Sequence, residues 1–152
     1  MPQLFFYLGI NPSFFSGIDH YMEMFLAAAT LKGCQAEQLN NVPALESILR
    51  KAVEAGEFQL IHCFMHAFQP QGVTGSIVLA ESHLALHSWP ELGEVFIEAV
   101  TCTNPERTLK ALSSICQAIP HISMHWHVHP HRENKILRPE QKKICLASFT
   151  AS

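Results

Sequence analysis

Gly72-Val73-Thr74-Gly75-Ser76-Ile77-Val78-Leu79-Ala80-Glu81-Ser82-His83-Leu84-Ala85-Leu86-His87-Ser88-Trp89-Pro90-Glu91 is the stretch on which the fold turns. Gly72 to Ala80 reads as a strand, entered from the Pro70-Gln71-Gly72 turn. Glu81 to Ser88 continues in extended form until Trp89-Pro90-Glu91-Leu92-Gly93 breaks it, and Val95 to Cys102 forms the next strand. Connections this short join antiparallel neighbours, because a parallel crossover needs a dozen or more residues. The apolar run Ile77–Ala80 ends in a crowd of polar groups: Glu81, Ser82, His83, His87, Trp89 and Glu91. Reactive side chains at the end of a buried strand are held by a rigid scaffold, as catalysis requires.

Outward from that stretch, Leu45, Ile48, Leu49, Ala52 and Val53 recur at helical spacing, with Asn40 or Asn41 as N-cap and Gly56 as the stop. Asn104-Pro105-Glu106 opens a second helix, whose apolar face is Leu109, Leu112, Ile115, Cys116 and Ile119, and Pro120 ends it. Phe58–Phe68 and Ile122–Val128 read as further strands, while Met24–Leu31 suits a buried strand or a short helix. The expected fold is α+β: a two-layer sandwich of an antiparallel sheet with two helices on one face. Its expected organisation is an aromatic N-terminal extension (1–20), one domain (21–130) and a charged, loose C-terminal tail (131–152) with a short helix from Pro139.

The 152 residues are 48% apolar and only 15% charged, enough for one sizeable core and low enough in charge to suit surface hidden in an oligomer. A net charge of −3 speaks against nucleic acid, whose phosphates demand a basic face. Five cysteines without a CxxC pair suit a reduced protein, and no window approaches a membrane span or carries a signal-peptide n-region, so the cytoplasm is the expected location.

Three chemistries suit Glu81-Ser82-His83: an inert polar turn, a serine hydrolase, or self-processing. The hydrolase lacks its G-x-S-x-G elbow. In self-processing, the Ser82 hydroxyl attacks the carbonyl of Glu81, the peptide becomes an ester, and elimination leaves dehydroalanine. Hydrolysis of dehydroalanine then yields a pyruvoyl group, an electron sink built from the chain.

Gly72-Val73-Thr74-Gly75, Glu81-Ser82-His83, Leu86-His87-Ser88-Trp89-Pro90-Glu91 and Thr101-Cys102 together resemble the prokaryotic S-adenosylmethionine decarboxylases. The resemblance extends upstream to His66-Ala67-Phe68-Gln69-Pro70 and covers roughly residues 24–128. It implies cleavage between Glu81 and Ser82, with Ser82 becoming the pyruvoyl cofactor that takes S-adenosylmethionine as a Schiff base. His87 would take the Ser82 Cα proton during elimination, Thr74 would support the cyclic intermediate, and Cys102 would return a proton to the substrate Cα. Phe68 and Trp89 would contact adenine, and Glu91 the ribose hydroxyls. The product would supply aminopropyl groups for spermidine biosynthesis. A homodimer of two-chain units, with sites near its interface, is also implied.

The chain departs from the family pattern at Ser88, where Thr is usual, at Thr103, where Gly follows the cysteine, and at Glu98, where Asp is usual. The same pyruvoyl machinery in relatives acts on arginine or ornithine, so those substrates stand as the alternative. An uncleaved, non-enzymatic binding relative is the alternative from another class. His125, His127, His129 and His131 share a face at period two, yet no carboxylate or thiolate stands at compatible local spacing. A polar strand face, with no metal, is the expectation there.

Overall fold

In the computed structural model, the structure describes residues 24–80, 82–131 and 149–151. The elements are β1 (Met24–Lys32), α1 (Ala36–Leu39), α2 (Val42–Ala55), β2 (Leu60–Ala67), β3 (Val73–Leu79), β4 (Ser82–Trp89), β5 (Glu94–Thr101), α3 (Pro105–Ala118), β6 (Ser123–His131) and β7 (Phe149–Ala151). They form one sheet in the order β2-β3-β4-β5-β1-β6-β7, antiparallel throughout. The expected α+β sandwich is therefore the observed one. The N-terminal extension and the segment around Pro139 lie outside the described residues.

Strand alternation divides the sheet into two faces. Phe25, Ala27, Ala29 and Leu31 of β1, Leu84 and Leu86 of β4, and Val95, Ile97 and Ala99 of β5 point into the core. α2 covers β2 and β3 with Leu45, Leu49, Ala52 and Val53, while α3 covers β1 and β5 with Leu109, Leu112, Ile115 and Cys116. Full burial of each leucine contributes on the order of 2 kcal/mol, which ties both helices to the same face. Both N-caps follow the sequence: the Asn41 side chain accepts from the Ala44 amide, and Asn104 from the Glu106 amide.

Met24–Leu31, open between strand and helix in the sequence, is a strand because β5 and β6 flank it and take its backbone hydrogen bonds. Its small Ala27 and Ala29 lie under α3. The one-turn helix α1 is an element the periodicity does not announce, being only four residues long. The expected loose tail is corrected at its end, where Phe149–Ala151 pairs with Met124–Trp126. The open edge of β6 offers unpaired backbone groups that a returning segment can satisfy. No helix among the described residues is long and apolar enough to cross a membrane.

Candidate active site

β4 carries the polar stretch, and its register with its neighbours decides which groups meet. Ser82 is the first residue of β4, paired with Leu79 on one side and Thr101 on the other. Only two residues, Ala80 and Glu81, join β3 to β4 across that pairing; Glu81 itself lies outside the described residues. Cys102 directly follows Thr101 and is exposed. Ser82 and Cys102 therefore gather at one end of the sheet.

The loop carrying Cys102 is tied down by Arg107. Its Nε donates to the Gly56 carbonyl at 2.9 Å and one terminal nitrogen donates to Thr103 Oγ1 at 3.1 Å. The other terminal nitrogen donates to the Glu57 carbonyl, and the guanidinium lies over the Phe58 ring. Thr103, a departure from the Cys-Gly pattern, thus contributes a hydroxyl that anchors the loop.

A second cluster lies at the other end of β4. Thr74 and His87 are paired across the β3–β4 ladder, with Thr74 Oγ1 and His87 Nδ1 3.0 Å apart. The His87 ring is 6.3 Å from Trp89 and 6.4 Å from Phe96. Phe68 follows β2 and is half exposed, with its amide donating to the Gly72 carbonyl at 2.8 Å. The His66 ring meets Phe68 edge-on at 4.6 Å. Glu91 accepts from the Gln71 amide nitrogen at 3.3 Å.

Backbone contacts hold this second cluster. Gly72 adopts φ +103, a conformation L side chains rarely take, and a Cβ there would stand 3.2 Å from the Ser88 carbonyl. Its amide donates to Asn40 Oδ1 at 2.9 Å. The buried Ser88 hydroxyl accepts from the Val73 amide and donates to the Leu39 carbonyl, each at 2.8 Å. Residues flanking Thr74 and His87 are thereby pinned to α1 and the turn after it.

The predicted site residues therefore fall into two groups: Ser82 with Cys102, and Thr74, His87, Phe68, Trp89 and Glu91. Within one chain the groups stay apart. His87 lies five residue steps along the strand from Ser82, a span of about 17 Å at roughly 3.3 Å per residue. The two side chains also point to opposite faces, Ser82 with the buried Leu84 and Leu86, His87 with the outer His83. The odd spacing is the sequence signal for this separation.

Among the four described cysteines, Cys102 alone is exposed. Burial pushes the Cys116 thiol up to about 12, and burial followed by the charge of Glu94 raises Cys34. Both shifts favour the protonated thiol and make it a weaker acid than an exposed cysteine. Among the described residues no group of three His, Cys, Asp or Glu side chains is arranged to hold a metal ion.

The family model described as S-adenosylmethionine decarboxylase matches residues 27–132. The chain belongs to the S-adenosylmethionine decarboxylase family. An S-adenosylmethionine decarboxylase proenzyme of Methanococcus maripaludis is 44% identical over 82 residues, which cover 52% of this chain and 67% of the relative. A proenzyme of the same name from Moorella thermoacetica is 48% identical over 75 residues, 49% of this chain and 59% of the relative. The crystal structure of the adenosylmethionine decarboxylase from Aquifex aeolicus superposes with a TM-score of 0.69 at 26% identity, covering 78% of this chain and 99% of that one. The matched family region begins within β1 and contains all of β2 through β6, and with them both clusters.

Proposed function

We propose that the chain is a self-processing, pyruvoyl-dependent S-adenosylmethionine decarboxylase, active as a homodimer with each site shared between two chains. The observation that carries this reading is Ser82 at the start of β4, set across the ladder from Thr101 and beside the exposed Cys102. Cleavage at the Glu81–Ser82 bond cuts a two-residue connection and leaves the ladders of β4 with β3 and β5 intact. A new N-terminus can therefore form there without unravelling the sheet. On this ground the residues present fit a pyruvoyl group made from Ser82.

The group supplies an electron sink for the pair released when the substrate's carboxylate leaves as CO₂. Cys102, on the loop anchored by Arg107, holds the proton that returns to the substrate Cα. Thr74 and His87 form a hydroxyl–imidazole pair suited to supporting processing, His87 as the base for the Ser82 Cα proton. Phe68 and Trp89 present aromatic surface for adenine, and Glu91 a carboxylate for the ribose hydroxyls.

A proton moves between groups about 3 Å apart, whereas Ser82 and His87 of one chain are about 17 Å apart. A second copy bringing its Thr74–His87 cluster to the Ser82–Cys102 end completes the constellation. The outer face of the sheet has the character of such an interface. It exposes Phe64, Val78 and Trp89 at 55%, 46% and 41%, apolar area that a lone chain would leave in water.

Intact-protein mass spectrometry tests the reading. The expected result is two chains, residues 1–81 and a pyruvoyl-blocked 82–152, with Ser82→Ala remaining one chain. CO₂ release is expected from S-adenosylmethionine and not from arginine or ornithine. A wild-type protein that stays a single chain with an ordinary serine at 82 after long incubation overturns it.

A further inference from the structure

Directly across the ladder from Ser82 lies a buried hydroxyl pair to which the site described above gives no task. Thr101 and Thr108 are both fully buried, and their Oγ1 atoms are 2.6 Å apart. Thr101 ends β5 and Thr108 lies in the second turn of α3, so the pair joins the sheet to the helix below it. Thr101 is the ladder partner of Ser82. Directly opposed residues of an antiparallel pair share a face, with Cβ atoms about 4.5–5.5 Å apart. Ser82 has the strand parity of the buried Leu84 and Leu86, the face on which Thr101 meets Thr108. Ser82 and Thr101 are thus opposed on the face where Thr101 meets Thr108.

Resting on the processing reading above, we infer that Thr101, backed by Thr108, is a positioning residue for self-cleavage. A short hydroxyl–hydroxyl contact carries one proton, so the pair retains capacity for a third hydroxyl. Either oxygen can donate in the Thr101–Thr108 contact; with Thr101 Oγ1 donating to Thr108, its lone pairs are left to accept from Ser82. A helical threonine such as Thr108 can in turn donate to a carbonyl one turn back. This ordered chain holds Ser82 Oγ in one rotamer with a lone pair free for attack.

In the step it serves, the Ser82 Oγ–C bond to the Glu81 carbonyl carbon forms and the C–N bond breaks. The hydroxyl proton passes to the Ser82 nitrogen, so the peptide isomerises to an ester with no other reactant. Thr101 touches no substrate and acts through Ser82. A hydrophobic isostere there would leave Ser82 free among its rotamers, and misorientation of a reacting group is costly in rate.

The test uses the full chain, with Thr101→Val, Thr101→Ser and the double variant Thr101→Val/Thr108→Val. The double variant keeps side-chain volume and leaves neither threonine hydroxyl buried without its partner, so its fold survives best and it decides the matter. The rate of conversion to two chains is followed by intact mass, and folding by thermal melting. The double variant is expected to melt as a folded protein and to cleave roughly tenfold to a hundredfold more slowly, as loss of one preorganised polar contact does. Thr101→Ser is expected to restore the rate. Once cleaved, each variant should decarboxylate at the wild-type turnover per pyruvoyl group. Wild-type cleavage by the folded double variant overturns the inference while leaving the processing reading standing. Thr101→Ser as slow as Thr101→Val overturns it also. A wild-type chain that never cleaves removes both.

Discussion

Mixing an S82A chain with an H87A chain in equal amounts, so that they assemble together, should restore a cleavage that neither chain performs well alone. The expectation comes from the geometry of β4. Ser82 and His87 are five residues apart on a regular strand, about 17 Å, and face opposite sides of the sheet. Proton abstraction needs a separation of about 3 Å, so His87 cannot serve the Ser82 of its own chain while β4 is intact. In the proposed homodimer, S82A pairs lack the nucleophile, and H87A pairs offer it no base. In a mixed dimer with a two-fold axis, one site receives both Ser82 and His87 and the other receives neither. Random pairing makes about half the dimers mixed, so about half of the H87A chains, roughly a quarter of all chains, should be cut. Chains carrying tags of different mass, co-expressed and read by intact mass spectrometry, distinguish the parents. Cleavage in the mixture no greater than in H87A alone refutes the shared site. Cleavage of H87A alone at the wild-type rate refutes the role of His87.

Ser88→Ala should lower stability by about 1–3 kcal/mol, because it strands the buried Val73 amide and Leu39 carbonyl that the hydroxyl now joins. Thermal melting should show a fall of roughly 3–10 °C, and an unchanged melting temperature would show that water satisfies both groups. Iodoacetamide at pH 8 should label the exposed Cys102 well before Cys116, whose thiol burial pushes to about 12. Peptide mapping that finds Cys116 modified at a comparable rate in folded protein would contradict its burial.

Much of the architecture was legible in the chain because its signals are local. Asn41 and Asn104 announce their helices through side chains that cap the first turn, and each does so in the structure. The apolar stripes of α2 and α3 lie at helical spacing, and the short connections through Gly72, Ala80-Glu81 and Gly93 permit only antiparallel neighbours. The motif residues were equally legible as a set. α1 was not, since four residues carry too little periodicity. Nor was the return of Phe149–Ala151 to β6, which depends on a distant open edge.

By itself, the sequence determined the two long helices, the strands from β2 to β6, the antiparallel connections of the middle strands and the candidate reactive groups, all of which depend on residues close along the chain. Tertiary structure decided their company. The β4–β5 register set Ser82 opposite Thr101 and beside Cys102, and the β3–β4 register set Thr74 against His87. Turn length limits the register a hairpin can take, and the burial of one whole face against the helices selects it. That same burial sends Ser82 and His87 to opposite sides of one sheet, so residues that neighbour each other in the motif belong to two different ends of the molecule.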